Sequence, residues 1–335
     1  MMTDIKNKDT NTSEPTTNNH QAPTKIVLLD AKTLGELKEV EMFNKFGEVV
    51  IYQYTKPDEV SEKVGDADII ITNKVVINKN IIDQAVNLKL ICVAATGTNN
   101  IDMEYATQKG IVVKNVKGYS TEGVAQHTFA LILYILNHIT LYDPYVKNKS
   151  YSSSTIFTHH GWPIYELASM KFGIIGFGTI GKKVAEIAKA FGAEVVFYST
   201  SGQNESENFK SVSLDELLST CDIVSIHAPL NEVTTNLISY KELQKMKASS
   251  ILVNTGRGGI VNERDLAKAL DEEIIKAAAL DVYEQEPLSE RNPLLLIRNR
   301  DRLITTPHIG WAGVESRKRL LEGVCKNIEE FVSVG

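Results

Sequence analysis

Three ionisable residues in the last third of the chain stand where they could act on a carbonyl group. Arg257 lies in NTGRGG, Glu286 directly before the proline of EQEP, and His308 in TPHIGWA. A planar guanidinium can orient a 2-oxo acid through paired hydrogen bonds to its oxygens. An acid among them can hand a proton to a developing alkoxide. Reduction by such a set also needs a hydride donor held in a dry cleft. Glu284, two residues before Glu286, is a second candidate for the carboxyl group of this set.

GIIGFGTIG offers a place for that donor. An apolar strand runs directly into GxGxxG, and the helical KKVAEIAKAFG follows directly after it. In this setting Gly176 permits a tight turn and Gly178 lets the backbone approach a pyrophosphate. Gly181 allows the helix to pack closely on the strand, and the helix N-terminus turns its free N–H groups to the anion. An acid about 20 residues further on would accept the ribose 2′-hydroxyl of NAD. The next strand, EVVFY, ends instead in Ser199, Thr200, Ser201 and Gly202. Hydroxyls there would accommodate the 2′-phosphate of NADP, which a carboxylate would repel. No arginine follows in the loop, and Lys210 is the first cation, so the expected cofactor is NAD or NADP, with a lean to NADP.

These residues need a scaffold, and the hydrophobic pattern supplies one. From Lys25 onward the short apolar runs KIVLLD, EVVIY, DIIIT, KLICVAA and IVVKN alternate with amphipathic or turn-rich segments. A second series contains FGIIG, EVVFYS, DIVSIHAP, SILVNTG, IKAAALDV and RLITT. Continuous apolar strands suit parallel sheets covered on both faces, so the expected fold is α/β with two doubly wound parallel-sheet domains. Between the two series, TEGVAQHTFALILYILNHITLYDPYV predicts one long helix from about Glu122 to Tyr142, ending near Pro144. After it, KNKSYSSSTIFTHHGWPIYELAS has no clean period and reads as an irregular arm anchored by Trp162. The last segment predicts a helix with an apolar stripe at Val314, Leu320, Leu321, Val324 and Ile328. If that stripe packs on the first domain, the chain crosses between domains twice.

Composition narrows the partners. A chain of 335 residues that is 43% hydrophobic and 23% charged can bury two cores. The net charge of −6 comes with scattered lysines and arginines, which gives no footprint for nucleic acid or anionic lipid and favours a small molecule. Cys92, Cys221 and Cys325 have neither CxxC nor Cys/His spacing, so reduced thiols in a cytoplasmic protein are expected, with no metal site. Residues 1–24 are polar, lack a targeting pattern and read as a disordered tail.

The motifs ATGTNNID, GYSTEGVAQHTFAL, GIIGFGTIG, SLDELL, VSIHAPL, LVNTGRGGIV, ALDVYEQEP, NPLL and TPHIGWA occur in this order. With them the chain resembles the D-isomer-specific 2-hydroxyacid dehydrogenases, most closely the glycerate dehydrogenase (hydroxypyruvate reductase) members, from Lys25 to the C-terminus. The resemblance implies a flavodoxin-like substrate domain of residues 25–121 plus 305–335. Residues 122–304 would form a Rossmann-type cofactor domain whose arm makes a homodimer. It implies Arg257, Glu286 and His308 as the catalytic set, and it favours Glu286 over Glu284 because the family acid directly precedes the proline. Backbone amides at Thr96 and Gly97, with Thr98 adjacent, would join Arg257 in holding the substrate.

On the cofactor side the resemblance assigns Thr179 and Ile180, with Gly176, Gly178 and Gly181, to the pyrophosphate, and Ser199 to the adenosine ribose. His227, Ala228 and Pro229 would lie at the adenine, Asp281 at the nicotinamide amide, and Trp311 would wall the nicotinamide end. Thr255, Gly256 and Gly310, with Arg257 and His308, complete the set. The implied reaction is reduction of hydroxypyruvate or glyoxylate to D-glycerate or glycolate. The alternative is a dinucleotide-sensing protein, because the family also contains corepressors that keep the same Arg/Glu/His set and the tryptophan. Several residues carry simpler readings: His127 as a packed or capping histidine, His159 and His160 as a solvated loop pair, and His138 and Tyr142 as surface or interface residues.

Overall fold

The structure, a computed structural model, describes residues 24–36 and 38–334; the tail expected over residues 1–24 lies outside them except for Thr24. The first half of the described chain forms β1 (Lys25–Leu28), β2 (Glu48–Ile51), α1 (Val60–Val64), β3 (Ile69–Thr72), α2 (Lys79–Gln84), β4 (Leu90–Val93), α3 (Met103–Gln108) and β5 (Val112–Asn115). Two helices follow, α4 (Thr121–Asn137) and α5 (Ile139–Lys147). A second run comprises β6 (Lys171–Ile175), α6 (Thr179–Ala190), β7 (Glu194–Tyr198), β8 (Lys210–Ser211), α7 (Leu214–Thr220), β9 (Ile223–Ile226), α8 (Tyr240–Leu243) and β10 (Ile251–Asn254). It continues with α9 (Glu263–Asp271), β11 (Ala277–Leu280), β12 (Leu303–Thr305) and α10 (Val314–Val334).

Every strand pairing is parallel. The first sheet has the order β2-β1-β3-β4-β5 and the second β12-β11-β10-β9-β6-β7-β8, so the architecture is α/β with two doubly wound sheets. The apolar runs become strands because each sheet is covered on both faces, and alternate residues feed separate cores. Ile26, Leu28, Leu90 and Cys92 face one side of the first sheet, while Val27, Leu29, Ile91 and Val93 face the other. Only the two-residue edge strand β8 was not anticipated; it pairs with β7 in too short a run to leave a periodic signal.

The predicted single helix over Glu122–Tyr142 is two helices. α4 buries Ala125, Phe129, Ile132 and Leu136, spaced as one helical face, against the second sheet. It stops at His138, whose left-handed backbone (φ 49°) turns the chain by 58° into α5. Pro144 lies inside α5 and does not end it. No single described helix is long and apolar enough to cross a membrane, and the bent pair α4–α5 passes that test by length and composition only. In the arm, Trp162 packs edge-on against Tyr142 at 5.1 Å, and its carbonyl accepts the Tyr142 hydroxyl at 2.5 Å. His159 departs from the solvated reading, because its ring stacks on Tyr145 at 4.3 Å.

α10 returns to the first sheet. Leu320, Leu321, Val324 and Ile328 are fully buried on the Ile26/Leu28/Leu90 face, each contributing roughly 1.5–3 kcal/mol of burial. Val314, expected in the same stripe, is 49% exposed, because the first turn of the helix lies short of the sheet.

Candidate active site

In both sheets the chemistry-bearing residues follow the carboxyl ends of strands. The loops after β1, β3 and β4 carry Asp30, Lys74 and Thr96. Those after β6, β9, β10, β11 and β12 carry Gly176, His227, Arg257, Asp281 and His308. The second sheet reverses its winding at β6, which lies between β7 and β9, and the crevice at such a switch point is where open α/β sheets take ligands.

At β6 the glycine loop has the conformation its sequence demands. Gly176 has φ +90°, and a Cβ there would stand 2.6 Å from the Ala228 nitrogen. A Cβ at Gly181 would collide with the Gly176 carbonyl, so α6 can approach β6 only through glycine. Gly178 caps α6, and a Cβ on it would meet nothing within 4 Å, so the backbone borders open space at the N-terminus of a 12-residue helix. This geometry fits a dinucleotide pyrophosphate. At the end of β7, Ser199 is held within its own turn. Its hydroxyl donates to Asn204 Oδ1 at 3.1 Å and accepts the Asn204 N–H at 3.1 Å. Lys210, the first cation after it, pairs with Glu216 at 3.1 Å.

A cavity of about 240 Å³ lies between the two sets of loops. Of the residues expected from sequence, Thr96, Ile180, His227, Ala228, Pro229 and Thr255 line it, as do Gly256, Arg257, Asp281, His308 and Trp311. Glu286 stands behind His308. Thr98 lies off the cavity, where its carbonyl closes a turn by accepting the Ile101 N–H at 3.0 Å. Gly310 is placed behind the lining, its N–H donated to Asp281. Asn73, Lys74, Ala95, Tyr119, Ser120 and Val124 also line the cavity and were not anticipated. They carry no motif of their own, and only the pairing of β3 and β4 brings them here.

Arg257 is presented by a short clamp. Asn254, buried at the end of β10, donates from Nδ2 to the Arg257 carbonyl at 2.9 Å and accepts the Gly256 N–H at 3.0 Å. The guanidinium donates one hydrogen bond, from Nη1 to the Gly256 carbonyl at 2.8 Å, and its Nη2 lies beside Gly97. On the facing loop, Thr96 is fixed by its hydroxyl, donated to the Val116 carbonyl at 3.1 Å, and by its carbonyl, which accepts from Asn115 Nδ2 at 2.6 Å. The backbone N–H groups of Thr96, Gly97 and Thr98 have no acceptor among the described residues, which suits them to an anion.

His308 and Glu286 meet at 2.7 Å, Nδ1 to Oε2. The other carboxylate oxygen of Glu286 accepts the Tyr283 N–H at 3.1 Å. Burial pushes the Glu286 carboxyl up, but the His308 hydrogen bond and charge, the Tyr283 N–H and the Lys74 charge outweigh it and hold it below the usual range. Glu284 is engaged elsewhere, exchanging backbone and side-chain hydrogen bonds with Glu263 at the start of α9. With Nδ1 taken, His308 Nε2 has no partner among the described residues.

Asp281 is buried and ties down the loop that carries His308. It accepts from Thr306 Oγ1 at 2.6 Å and from the Ile309 and Gly310 N–H groups at 2.8 Å each. Burial raises its carboxyl, yet His127, Thr306 and the two backbone donors hold it below the ordinary value. His127, read from sequence as a packed or capping histidine, lies 2.9 Å from Thr306 Oγ1 and 3.3 Å from Asp281 Oδ1. His227 is part of the cavity wall, 2.9 Å from Ser225 Oγ, and burial pushes its imidazole down to about 3, so it is neutral. Trp311 meets Tyr119 edge-on at 6.3 Å. No cluster of metal-ligating side chains occurs among the described residues.

Residues 129–310 match the family described as D-isomer specific 2-hydroxyacid dehydrogenase, NAD binding domain. The chain is 38% identical to a hydroxypyruvate reductase of Blautia hydrogenotrophica over 92% of this chain and 97% of that one. It is 36% identical to a glycerate dehydrogenase of Methylorubrum extorquens over 92% and 96%. Among solved structures, a D-lactate dehydrogenase from Aquifex aeolicus complexed with NAD and lactic acid superposes with a TM-score of 0.78 at 26% identity, over 92% of this chain and 96% of that one. With a nucleotide-fitting glycine loop and a family match across more than half its length, the chain belongs to the D-isomer specific 2-hydroxyacid dehydrogenases, oxidoreductases that work with a nicotinamide cofactor.

Proposed function

We propose that this protein reduces hydroxypyruvate, and glyoxylate beside it, to D-glycerate and glycolate. The observation that carries the proposal is the 2.7 Å His308–Glu286 pair, with His308, Arg257 and Thr96 lining one cavity and the unpaired amides of Thr96 and Gly97 close to the guanidinium. The names of the relatives from Blautia and Methylorubrum point to hydroxypyruvate and glycerate.

In this reading the amides of Thr96 and Gly97 hold the substrate carboxylate, and Arg257 spans the carboxylate and the carbonyl, stabilising charge as it develops on oxygen. When bound, the nicotinamide supplies the hydride that C2 accepts. His308 Nε2 gives its proton to the carbonyl oxygen, and Glu286 keeps the imidazole oriented through Nδ1. Thr179 and Ile180, with Gly176, Gly178 and Gly181, hold the pyrophosphate, and Ala228 and Pro229 border the adenine side with His227. Thr255, Gly256, Gly310 and Trp311 frame the nicotinamide end, and Asp281 holds the His308 loop beside it. Residues 25–121 with the C-terminal segment form the substrate lobe, and the chain between them forms the cofactor lobe.

The cofactor is NADP or NAD. Ser199 leaves no carboxylate to repel a 2′-phosphate, although its own hydroxyl is tied to Asn204. The exposed Phe157, Ile156 and Ile164 of the arm suit a homodimer contact. The three buried free thiols suit a reducing, cytoplasmic setting.

The test is loss of nicotinamide absorbance with purified protein, NADH and NADPH in parallel, against hydroxypyruvate, glyoxylate and pyruvate. Turnover with either of the first two supports the proposal. Cofactor binding without turnover would replace it with a dinucleotide-sensing role.

A further inference from the structure

The loop leaving β3 contributes two polar side chains to the cavity that no step above uses. It is a built loop. The buried Asp30, at the end of β1, accepts the backbone N–H groups of Asn73 at 2.9 Å, Lys74 at 2.7 Å and Val75 at 3.3 Å. The Thr72 hydroxyl also accepts the Val75 N–H, at 3.0 Å. Three successive amides folded round one carboxylate fix the direction in which residues 73 and 74 leave the backbone.

Asn73 is 3% exposed, and its orientation is set because Nδ2 donates to the Ala94 carbonyl at 3.0 Å. That leaves Oδ1 as a buried acceptor with no partner among the described residues. An orphaned buried acceptor costs roughly 1–3 kcal/mol, and such groups persist where a ligand can satisfy them. Lys74 is the reverse case, a side chain that lines the cleft and whose ammonium, partly desolvated by the facing loops, makes no hydrogen bond or ion pair among the described residues. Burial by the surrounding loops pushes the ammonium's pKa down. Glu286 opposes that shift, Arg257 adds to it and Asp30 opposes it, so Lys74 faces both the proposed acid pair and the proposed substrate clamp.

A hydroxyl group matches this pair, because it donates to one partner and accepts from the other. In the proposed pose the amides of Thr96 and Gly97 and the Arg257 guanidinium take up the carboxylate and carbonyl, which leaves only the third substituent on C2. Of the other unanticipated walls, Ala95 and Val124 are apolar, while Tyr119 and Ser120 each carry a hydroxyl but no charge. We infer that Asn73 and Lys74 form the subsite for a hydroxyl on C3 of the substrate, so that the enzyme selects a 3-hydroxy-2-oxo acid over its deoxy counterpart. The inference rests on the proposed 2-oxo acid reduction and names the chemical class that site prefers.

The experiment is steady-state kinetics of the full chain with hydroxypyruvate, glyoxylate and pyruvate, comparing the unaltered protein with Lys74→Met and Lys74→Arg. Lys74→Met should lower kcat/KM for hydroxypyruvate by about ten- to a hundredfold, the value of a hydrogen bond to a charged group. Glyoxylate and pyruvate, which carry no C3 hydroxyl, feel only the loss of the charge beside Glu286, so the ratio of the hydroxypyruvate value to theirs should fall by about tenfold or more. Lys74→Arg should restore part of the preference. Asn73→Leu should lower the hydroxypyruvate value alone; because Asn73 is buried, the Lys74 pair decides if that variant does not fold. An equal loss with all three acids, or an unchanged preference in Lys74→Met, overturns the subsite while leaving the reductase reading intact. Failure of the unaltered protein to turn over any of the three overturns both.

Discussion

The Arg257 guanidinium occupies the ground that a side chain at Gly97 would claim: a Cβ built on Gly97 stands 3.1 Å from Nη2 and 3.9 Å from Cζ. One residue belongs to the loop after β4 and the other to the loop after β10, so this contact sets the spacing of the two halves of the proposed substrate clamp. Gly97→Ala should push the guanidinium aside by a few tenths of an ångström. The expected result is a rise in KM of roughly tenfold with cofactor affinity unchanged. A wild-type KM would show that the clamp tolerates the shift.

Arg257→Ala removes the guanidinium itself. Orientation and charge stabilisation are lost together, so KM should rise and kcat fall, with kcat/KM reduced on the order of a hundredfold or more. Unchanged kinetics would take Arg257 out of the site.

His308→Ala should abolish turnover while cofactor binding, measured by fluorescence titration, stays nearly intact. Glu286→Gln keeps the shape but not the charge beside Nδ1, and should lower kcat by about tenfold to a hundredfold with a small effect on KM. Collapse of cofactor affinity in either variant would contradict the role assigned here.

Much of this site was readable from residue order alone, and the reason is physical. Gly176 and Gly181 have to be glycine because the backbone closes on them, and the relation of Glu286 to His308 is written in the motifs EQEP and TPHIG. The eleven longer strands were legible as apolar runs because both faces of each sheet are covered. What the sequence hid was long-range. Asn73 and Lys74 reach the cavity only because β3 pairs with β4, and His127 meets Asp281 only because α4 packs across β11. The break at His138 was hidden for the opposite reason, since the apolar composition runs on through a left-handed residue without a glycine or proline to mark it.

Ser199→Asp places a carboxylate at the end of β7. It should disfavour NADPH relative to NADH through repulsion of the 2′-phosphate. Because Ser199 also closes the turn with Asn204, a thermal melt should accompany the kinetics. An unaltered cofactor ratio in a folded variant would rule out this strand end as the discriminator.

His227 makes stability fall in acid. Its folded-state pKa is down at about 3 against an ordinary 6.5, so between those values the unfolded chain binds the proton first. There is no effect above pH 6.5, and stability is lost progressively as pH falls toward 3. His227→Asn should flatten acid unfolding in that window, by on the order of 1–2 kcal/mol at pH 5. An identical profile in the variant would show that the imidazole is solvated.

The position of α10 bears on how the chain is made. One face of the first sheet is formed by residues that leave the ribosome early, yet Leu320, Leu321, Val324 and Ile328, which cover it, are synthesised last. Throughout synthesis the nascent first lobe therefore presents an open apolar surface around Ile26, Leu28 and Leu90, while the second sheet can complete itself from contiguous sequence. A premature stop or proteolytic cut between Thr305 and Leu320 would leave the glycine loop and its sheet whole but unroof the lobe that carries Thr96 and Gly97, yielding a sticky fragment and a natural client for chaperones.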